Sequence, residues 1–567
     1  MYFTGRISFN TGKSYHLIFY ALALVVLGTI ILMFILPVNG DDSWIHLNWL
    51  DQFTRLFREG NLYPRWMPES FSGYGSAAFY FYPPLPFWIA SLTSLIVPSA
   101  SPEVLFYFIS LLGSVVSVMT MKSYLKEIGI SQEAALLGSF LYGFGAYRIL
   151  DIFSRNSMSE QFAMIFLPLI FKAIEIAFST STRNSIKAYI IFTIGFTGAI
   201  LSNIPTAAVA STAGAIYCLL RLRKENVKNL LSLIVGVMGS IALSGIYILP
   251  MVFLRPQAHF ERLFDLSPGF AAGKAQVSYL ISVVFLDLRI TTIISLISGT
   301  LLFIFLLRYK KFVAAPASKQ LAMTFSFLFL FAIIVQIPYF GYYLHSTIFP
   351  FSLLQFYWRW NILLTFMIPA VIALFISEKS FPRLSLFIFF ISIVAIIAVM
   401  ALQFFNPARP ASFARHRDVR EYIPYSVKTL PKASDKYVPL RPEWFDFDSS
   451  QFIMGSADGI TTDRIDPFRY RIISSLDTTR TVTLHQFYWE EWKLENESGK
   501  EMVTVPDSTG KTTMTLPAGH HTYFYYLHVS QAEIYGEILS GIGAFTFLIV
   551  IAIQFRLKKR NHNPGIE

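Results

Sequence analysis

Runs of about twenty apolar residues recur along most of this chain, and no ordinary soluble fold has a use for that pattern. A helix of roughly 20 residues is what crosses a hydrocarbon layer about 30 Å thick. Inside such a layer each segment must satisfy its own backbone hydrogen bonds, so helices are the natural outcome. Of 567 residues 54% are hydrophobic and 16% aromatic, with a mean hydropathy of +0.51, which exceeds what the core of a soluble enzyme needs. The chain reads as a polytopic α-helical membrane protein.

The formal charge of +11 raises the question of a nucleic-acid partner. The basic residues lie in short clusters between apolar runs: Arg6 and Lys13, Lys122 and Lys126, Arg183 and Lys187, 221–228, 308–311, Lys379 and Arg383, and 556–560. Positive-inside sorting accounts for that spacing, so nucleic acid is discounted. With every cluster cytoplasmic, about twelve spans are expected, at 15–37, 103–121, 132–149, 160–178, 187–203, 206–221, 229–252, 290–307, 320–338, 361–377, 384–404 and 534–555. Both termini then face the cytoplasm of a cell membrane. The apolar stretch 86–97 has only 12 residues and adjacent prolines, and reads as a re-entrant or interfacial helix. The first span lacks a small-residue cleavage site and is expected to be retained. The single cysteine, Cys218, excludes a disulfide framework.

This topology divides the chain into a membrane module at 1–404 with a large first external loop at 38–102, an extracytoplasmic β-rich domain at 405–533, and a last span with a basic tail at 534–567. Strands are expected at 480–489, 501–506, 511–517 and 521–529, where apolar and polar residues alternate between ESGK, DSTG and PAGH turns. A small β-sandwich is the natural form for them.

The polar investment is concentrated outside. Asp41 and Asp42 stand where the first span leaves the bilayer, and ionised groups there are costly unless they do work. One aspartate serves as a helix cap for the segment that follows, in which His46, Trp49, Phe53 and Phe57 recur at helical spacing; a cap needs only one acid. That helix is expected to lie on the membrane with its aromatic face down. Residues 60–88, dense in glycine, proline and aromatics, must fold over the bundle as a lid or cavity wall. Asp151, Arg155, Asn156 and Glu160 lie in and after the second external loop, and Arg359 sits among aromatics at the outer end of the tenth span. An arginine there can snorkel to headgroups or hold a phosphate with its planar fork. The span midsections carry almost no ionisable residues, which favours an interfacial enzyme over an ion-coupled transporter.

These elements resemble the GT-C class of membrane glycosyltransferases, and within it the bacterial 6-pyruvoyl-tetrahydropterin-synthase-related membrane proteins with their YfhO-like relatives. The resemblance rests on D-x-x-x-H in DSWIH (42–46), GNLYPRW (60–66), GYG (73–75), FYPPL (81–85), RNSMSE (155–160), QFYWRW (355–360), FYWEEW (487–492) and LPAGHHTYFYY (516–526), in that order over nearly the full length. It departs at WEEW, where a glycine-containing turn is usual, and at Asn203, where a histidine is expected. The resemblance implies an inverting transfer of a sugar from a polyprenyl-phosphate donor to a glycan, lipid or protein acceptor at the outer face. It makes Asp42 the base, with Asp41 assisting and Glu160 positioning the acceptor or holding a cation. Arg359, Arg155 and Arg65, with His46 and Tyr82, would hold substrate. Asp41, Asp42 and Glu160 could also bind a divalent metal, a point the residues leave open. A flippase for lipid-linked glycans and a non-catalytic scaffold are the competing readings.

Overall fold

A computed structural model describes residues 11–36, 42–71, 73–178, 182–258, 316–336, 351–354, 357–377, 452–454, 458–508 and 510–562, with a few single positions between them. Its helices are α1 (Thr11–Ile35), α2 (Ser43–Arg58), α3 (Ala78–Phe81), α4 (Leu85–Ile96), α5 (Pro102–Glu127), α6 (Gln132–Gly143), α7 (Ala146–Leu150), α8 (Met158–Ala163), α9 (Leu167–Ala177), α10 (Thr182–Ser202), α11 (Ile204–Arg221), α12 (Leu230–Leu243), α13 (Gly245–Phe253), α14 (Pro316–Ile334), α15 (Asn361–Ser377) and α16 (Gln531–His562). Their starts follow local chemistry. Ser101 and Ser131 each accept a backbone N–H, at 3.4 Å, to cap α5 and α6, and Pro102 fills a first-turn position where a missing N–H costs nothing. Asn203, the residue standing where the resemblance expects histidine, caps α11 by accepting from Thr206 N at 3.0 Å.

Among the described residues six helices are long and apolar enough to cross a membrane: Pro102–Glu127, Gln132–Arg155, Ser185–Ser202, Ile204–Arg221, Lys224–Leu243 and Gln531–Leu557. The expected span at 160–178 is interrupted, because α8 ends at Ala163 and α9 restarts with Pro168 in its first turn. That at 229–252 breaks at Ser244. The expected spans at 290–307 and 384–404, with Asp41 and the domain segment 405–451, lie outside the described residues.

Close packing sets which helix ends meet. A Cβ on Gly138 of α6 would stand 2.9 Å from Ala373 and from the Pro369 carbonyl of α15, while one on Gly145 would stand 3.7 Å from Thr365. At the far end Ser131 N donates to Ser377 Oγ at 3.0 Å. The two helices therefore run antiparallel, and the turn carrying Arg359, just before α15, arrives beside the segment that follows α7.

Beyond the bundle, nine strands among the described residues form two antiparallel sheets, ordered β1-β4-β8-β7 and β2-β3-β9-β5-β6: β1 (Ile453–Met454), β2 (Ile460–Asp466), β3 (Arg469–Leu476), β4 (Arg480–Phe487), β5 (Trp492–Asn496), β6 (Glu501–Met502), β7 (Thr504–Pro506), β8 (Lys511–Leu516) and β9 (Gly519–Leu527). Three expected strands correspond to β4, β8 and β9. The run 501–506 divides at Val503 into β6 and β7, one in each sheet. Inward residues of both sheets, among them Tyr470, Ile472, Trp492, Tyr525, Leu484 and Met514, share one apolar core that also takes in Trp66, Ala77 and Tyr80 of the segment after α2. Phe487 N donates to Tyr74 O at 2.8 Å, and the Tyr74 and His485 rings stack with centroids 3.9 Å apart.

The α2 helix differs from expectation. Its aromatic face does not lie on lipid: Leu50, Phe53 and Leu56 have no exposed surface, and Trp49 and Phe53 pack edge-on against Phe79 of the following loop. The glycine- and proline-rich segment supplies enough aromatic area to cover that face itself, and burial against protein gains packing that lipid contact does not.

Gly75 makes the loop-to-sheet contact possible, with φ of +84° and Trp66 pressed against the space a Cβ would fill. Gly75→Ala combines a left-handed alanine, about 1–2 kcal/mol, with overpacking of about 1–3 kcal/mol. The expected result is a lower melting temperature in detergent and a red-shifted tryptophan emission; an unchanged melt would refute the contact.

Candidate active site

The segment expected as the second external loop is buried and helical. After α7 the chain makes a π-helical turn at Asp151–Arg155, then enters the left-handed region at Asn156 with φ of 52°. Such irregular turns cost stability and concentrate at functional sites. Here the turn aims several charges at one place. The Arg155 guanidinium donates to Asp151 Oδ1 at 2.5 Å, to Glu160 Oε1 at 2.9 Å and to Glu160 Oε2 at 3.2 Å. Tyr147 Oη donates to Glu160 Oε1 at 2.6 Å, and Arg359 Nε stands 3.3 Å from Glu160 Oε2. Asp151 and Glu160 have no exposed surface, and Arg359 is buried.

The same turn receives the first loop. Asp42 N donates to the Arg155 carbonyl at 2.8 Å, and Gly40 N donates to the Asn156 side-chain oxygen. A Cβ at Gly40 would collide with Ser154 O and with Asn156, so the close approach requires glycine. Asp42 occupies the N-cap position of α2, yet its side chain makes no capping bond. It is half-buried, the one carboxylate of the three described here with exposed surface.

One turn further along, His46 is buried, and its Nε2 lies 3.2 Å from the Tyr82 hydroxyl. Its Nδ1 has no hydrogen-bond partner among the described residues. Burial, aided by the Arg155 charge, lowers the imidazole pKa to about 3, so the ring is neutral at ordinary pH. Burial raises the Tyr82 phenol above its usual range. The charges of Asp42 and Glu160 push it the same way and Arg359 opposes them, so all three act on one hydroxyl.

The structure thus brings together Asp42, Glu160, Arg155, Arg359, His46 and Tyr82. Asp41 lies outside the described residues. Arg65 goes elsewhere: its guanidinium pairs with Glu533 at 2.8 Å and lies 3.9 Å from the Tyr63 ring centre. Glu160 does not fit as a cation ligand, since its two oxygens face two guanidiniums and a phenol, and among the described residues no three His, Cys, Asp or Glu side chains group as a metal site. Three partners escaped the sequence reading. Tyr147 carried no signal beyond its apolar run. Asn156 was noted without a role. Arg148, in the same run, is wholly buried and donates to Gln161 O at 2.7 Å and to Ser117 Oγ at 2.8 Å; a charge in so apolar a stretch was the available signal.

No protein-family model matches the chain. It is 25% identical over 299 residues to an uncharacterized protein of Lactococcus lactis subsp. cremoris (strain MG1363), a match that takes in 50% of this chain and 47% of the other; the chain spans under half the length of that relative. Among solved structures it is similar to the arabinofuranosyltransferase AftD from Mycobacteria, with 12% identity and a TM-score of 0.42 over 70% of this chain and 27% of that one. It is also similar to the oligosaccharyltransferase AglB from Archaeoglobus fulgidus in complex with an inhibitory peptide and a dolichol-phosphate, with 16% identity and a TM-score of 0.38 over 78% and 62%.

Acidification tests the burial of His46. Its folded pKa lies below the ordinary 6.5, so the unfolded chain takes up the proton first as pH falls. The associated stability is present above pH 6.5 and is lost between pH 6.5 and about 3, by up to about 1.4 kcal/mol per pH unit. Melting wild type and His46→Gln between pH 7 and 4 should show a shallower acid slope in the variant; parallel slopes would place the histidine in water.

Proposed function

We propose that the protein is a multi-pass membrane glycosyltransferase that moves a sugar from a polyprenyl-phosphate donor to an acceptor on the extracytoplasmic face, inverting the anomeric centre. One observation carries the reading: a half-exposed carboxylate, Asp42, is hung by its own backbone from the arginine of a buried Arg155–Glu160–Arg359 cluster. The motif resemblance supports it, as does the position of the cluster at the end of α15 that meets the first external loop.

The roles divide by exposure. An acceptor hydroxyl attacks the anomeric carbon while Asp42 takes its proton; the bond from that carbon to the phosphate oxygen breaks, and the charge passes to the lipid phosphate. General-base assistance of this kind is typically worth about 10² to 10⁴ in rate. The leaving phosphate gains negative charge, which the guanidiniums of Arg155 and Arg359 stabilise. Glu160 serves as their counter-ion and holds their geometry between turnovers, while His46 and Tyr82 contact sugar or acceptor hydroxyls. The same reading places the chain in a cell membrane with about twelve spans, both termini inside, and the two sheets as an outer β-sandwich.

Purified protein in proteoliposomes, offered a panel of radiolabelled polyprenyl-phosphate pentoses and hexoses, should form new covalent glycan; label that only changes leaflet would instead establish the flippase. Asp42→Asn should lower kcat about 10²- to 10⁴-fold while the melt is retained. Glu160→Gln should instead cost up to about 3–5 kcal/mol of stability by removing the buried counter-ion that Arg155 and Arg359 share. Full activity in Asp42→Asn would remove it from catalysis.

A further inference from the structure

Where Arg65 has gone carries a consequence for the site. Glu533, in the first turn of α16, has both oxygens occupied. Its Oε2 accepts from Ser530 N and from Ser530 Oγ, each at 2.8 Å, and Glu533 N returns a bond to Ser530 Oγ at 3.2 Å, the reciprocal arrangement that starts a helix. Its Oε1 receives Arg65 Nε at 2.8 Å, and both side chains are buried. Arg65 donates from its other end to the Ile246 carbonyl of α13 at 2.9 Å. One glutamate therefore fastens the first external loop to the helix that leaves the sheets, beside a broken span.

From that fastening a continuous set of contacts runs to the site. The Arg65 carbonyl accepts from Phe79 N at 3.0 Å, and the Phe79 carbonyl accepts from Tyr63 Oη at 3.0 Å. The Phe79 ring is packed edge-on against Trp49 and Tyr82, with centroids 5.6 and 6.2 Å away. Tyr82 Oη is the group that reaches His46. Tyr247 of α13 adds a second tie, donating to Phe81 O at 2.8 Å. Asp42 is anchored independently: its N–H donates to the Arg155 carbonyl, and Gly40 just before it donates to Asn156.

We propose that Glu533 is a positioning residue for the substrate-holding half of the site: through Arg65 it sets the placement of Tyr82 and His46 and leaves Asp42 where the second turn holds it. The inference rests on the transfer reading above for its kinetic consequence, though not for its structural one. A charged pair this deep is a fixed geometric constraint, since releasing either partner leaves the other charge desolvated. Loosening it moves Tyr82 relative to an unmoved base, which weakens binding and spares the chemical step.

Two variants test this on the full-length protein in detergent. Glu533→Gln preserves the helix-start bonds, because glutamine serves at that position too, and removes only the charge on Arg65. Glu533→Asp keeps the charge on a shorter arm. Hydrogen exchange should accelerate in residues 61–82 in the glutamine variant, less so in the aspartate variant, and stay unchanged in β3 and β9. With whichever donor of the panel reacts, KM should rise about tenfold with kcat within about threefold, and the aspartate variant should recover part of the loss. A merely structural role would instead lower the active fraction, so kcat would fall at constant KM. That result, or unchanged exchange in 61–82, overturns the proposal. If wild type transfers no sugar from any donor, the transferase reading fails, and the exchange data alone decide whether Glu533 positions the loop.

Discussion

A glutamate with no exposed surface, Glu160, sits between two guanidiniums and a phenol at one end of an apolar bundle, and the arrangement of that end follows from the need to satisfy it. Removing a carboxylate from water costs several kcal/mol, and only close, well-directed partners repay that. Arg155 comes from a π-helical turn, Tyr147 from the helix before it, and Arg359 from a turn two hundred residues further along. The antiparallel packing of α6 and α15 delivers the last of these. Because each partner belongs to a different element, the cluster locks the helix ends to one another, and Asp42, bonded to the Arg155 backbone, inherits that rigidity.

Rigidity of this kind is what a catalytic carboxylate needs. A base must stand within hydrogen-bonding reach of the proton it takes, and a displacement of about 1 Å is costly. Asp151 and Glu160 are spent on arginines inside the protein, whereas Asp42 keeps surface and lies close enough to Glu160 and Arg359 for all three to act on Tyr82. One local fold therefore produces two classes of carboxylate. The buried pair fixes geometry, and the half-buried one is the carboxylate to which the proposed chemistry falls.

Much of this was legible in the chain, for identifiable reasons. Apolar run length pointed to a helical membrane bundle, and the motifs that carry the resemblance, DSWIH and RNSMSE, picked out Asp42, His46, Arg155 and Glu160. Arg359 stood out as a charge among aromatics. Long-range pairing was not legible. Arg65 beside tyrosine, proline and tryptophan looked like a phosphate ligand because its partner, Glu533, lies near the other end of the sequence, although the S-x-x-E start of α16 was there to read. The second loop was expected only as an external connection between spans; it is buried because its polar groups satisfy one another. Strands β2 and β3 escaped notice because charged residues interrupt their apolar pattern, as where Asp463 stands opposite Arg471.

The sheets belong to the same argument. A small outer domain joined to a bundle by flexible linkers would contribute nothing to geometry at the bundle's mouth. Here its core is continuous with Trp66 and Tyr80, its β4 strand donates a hydrogen bond to the carbonyl of the glycine-flanked Tyr74, and the helix that leaves it begins on the glutamate that fixes Arg65. An extended loop rich in glycine and proline has little structure of its own and loses much entropy on ordering. Two surfaces, the bundle beneath and the sheets above, share that cost, which is how a segment so poor in regular structure holds Tyr82 against His46.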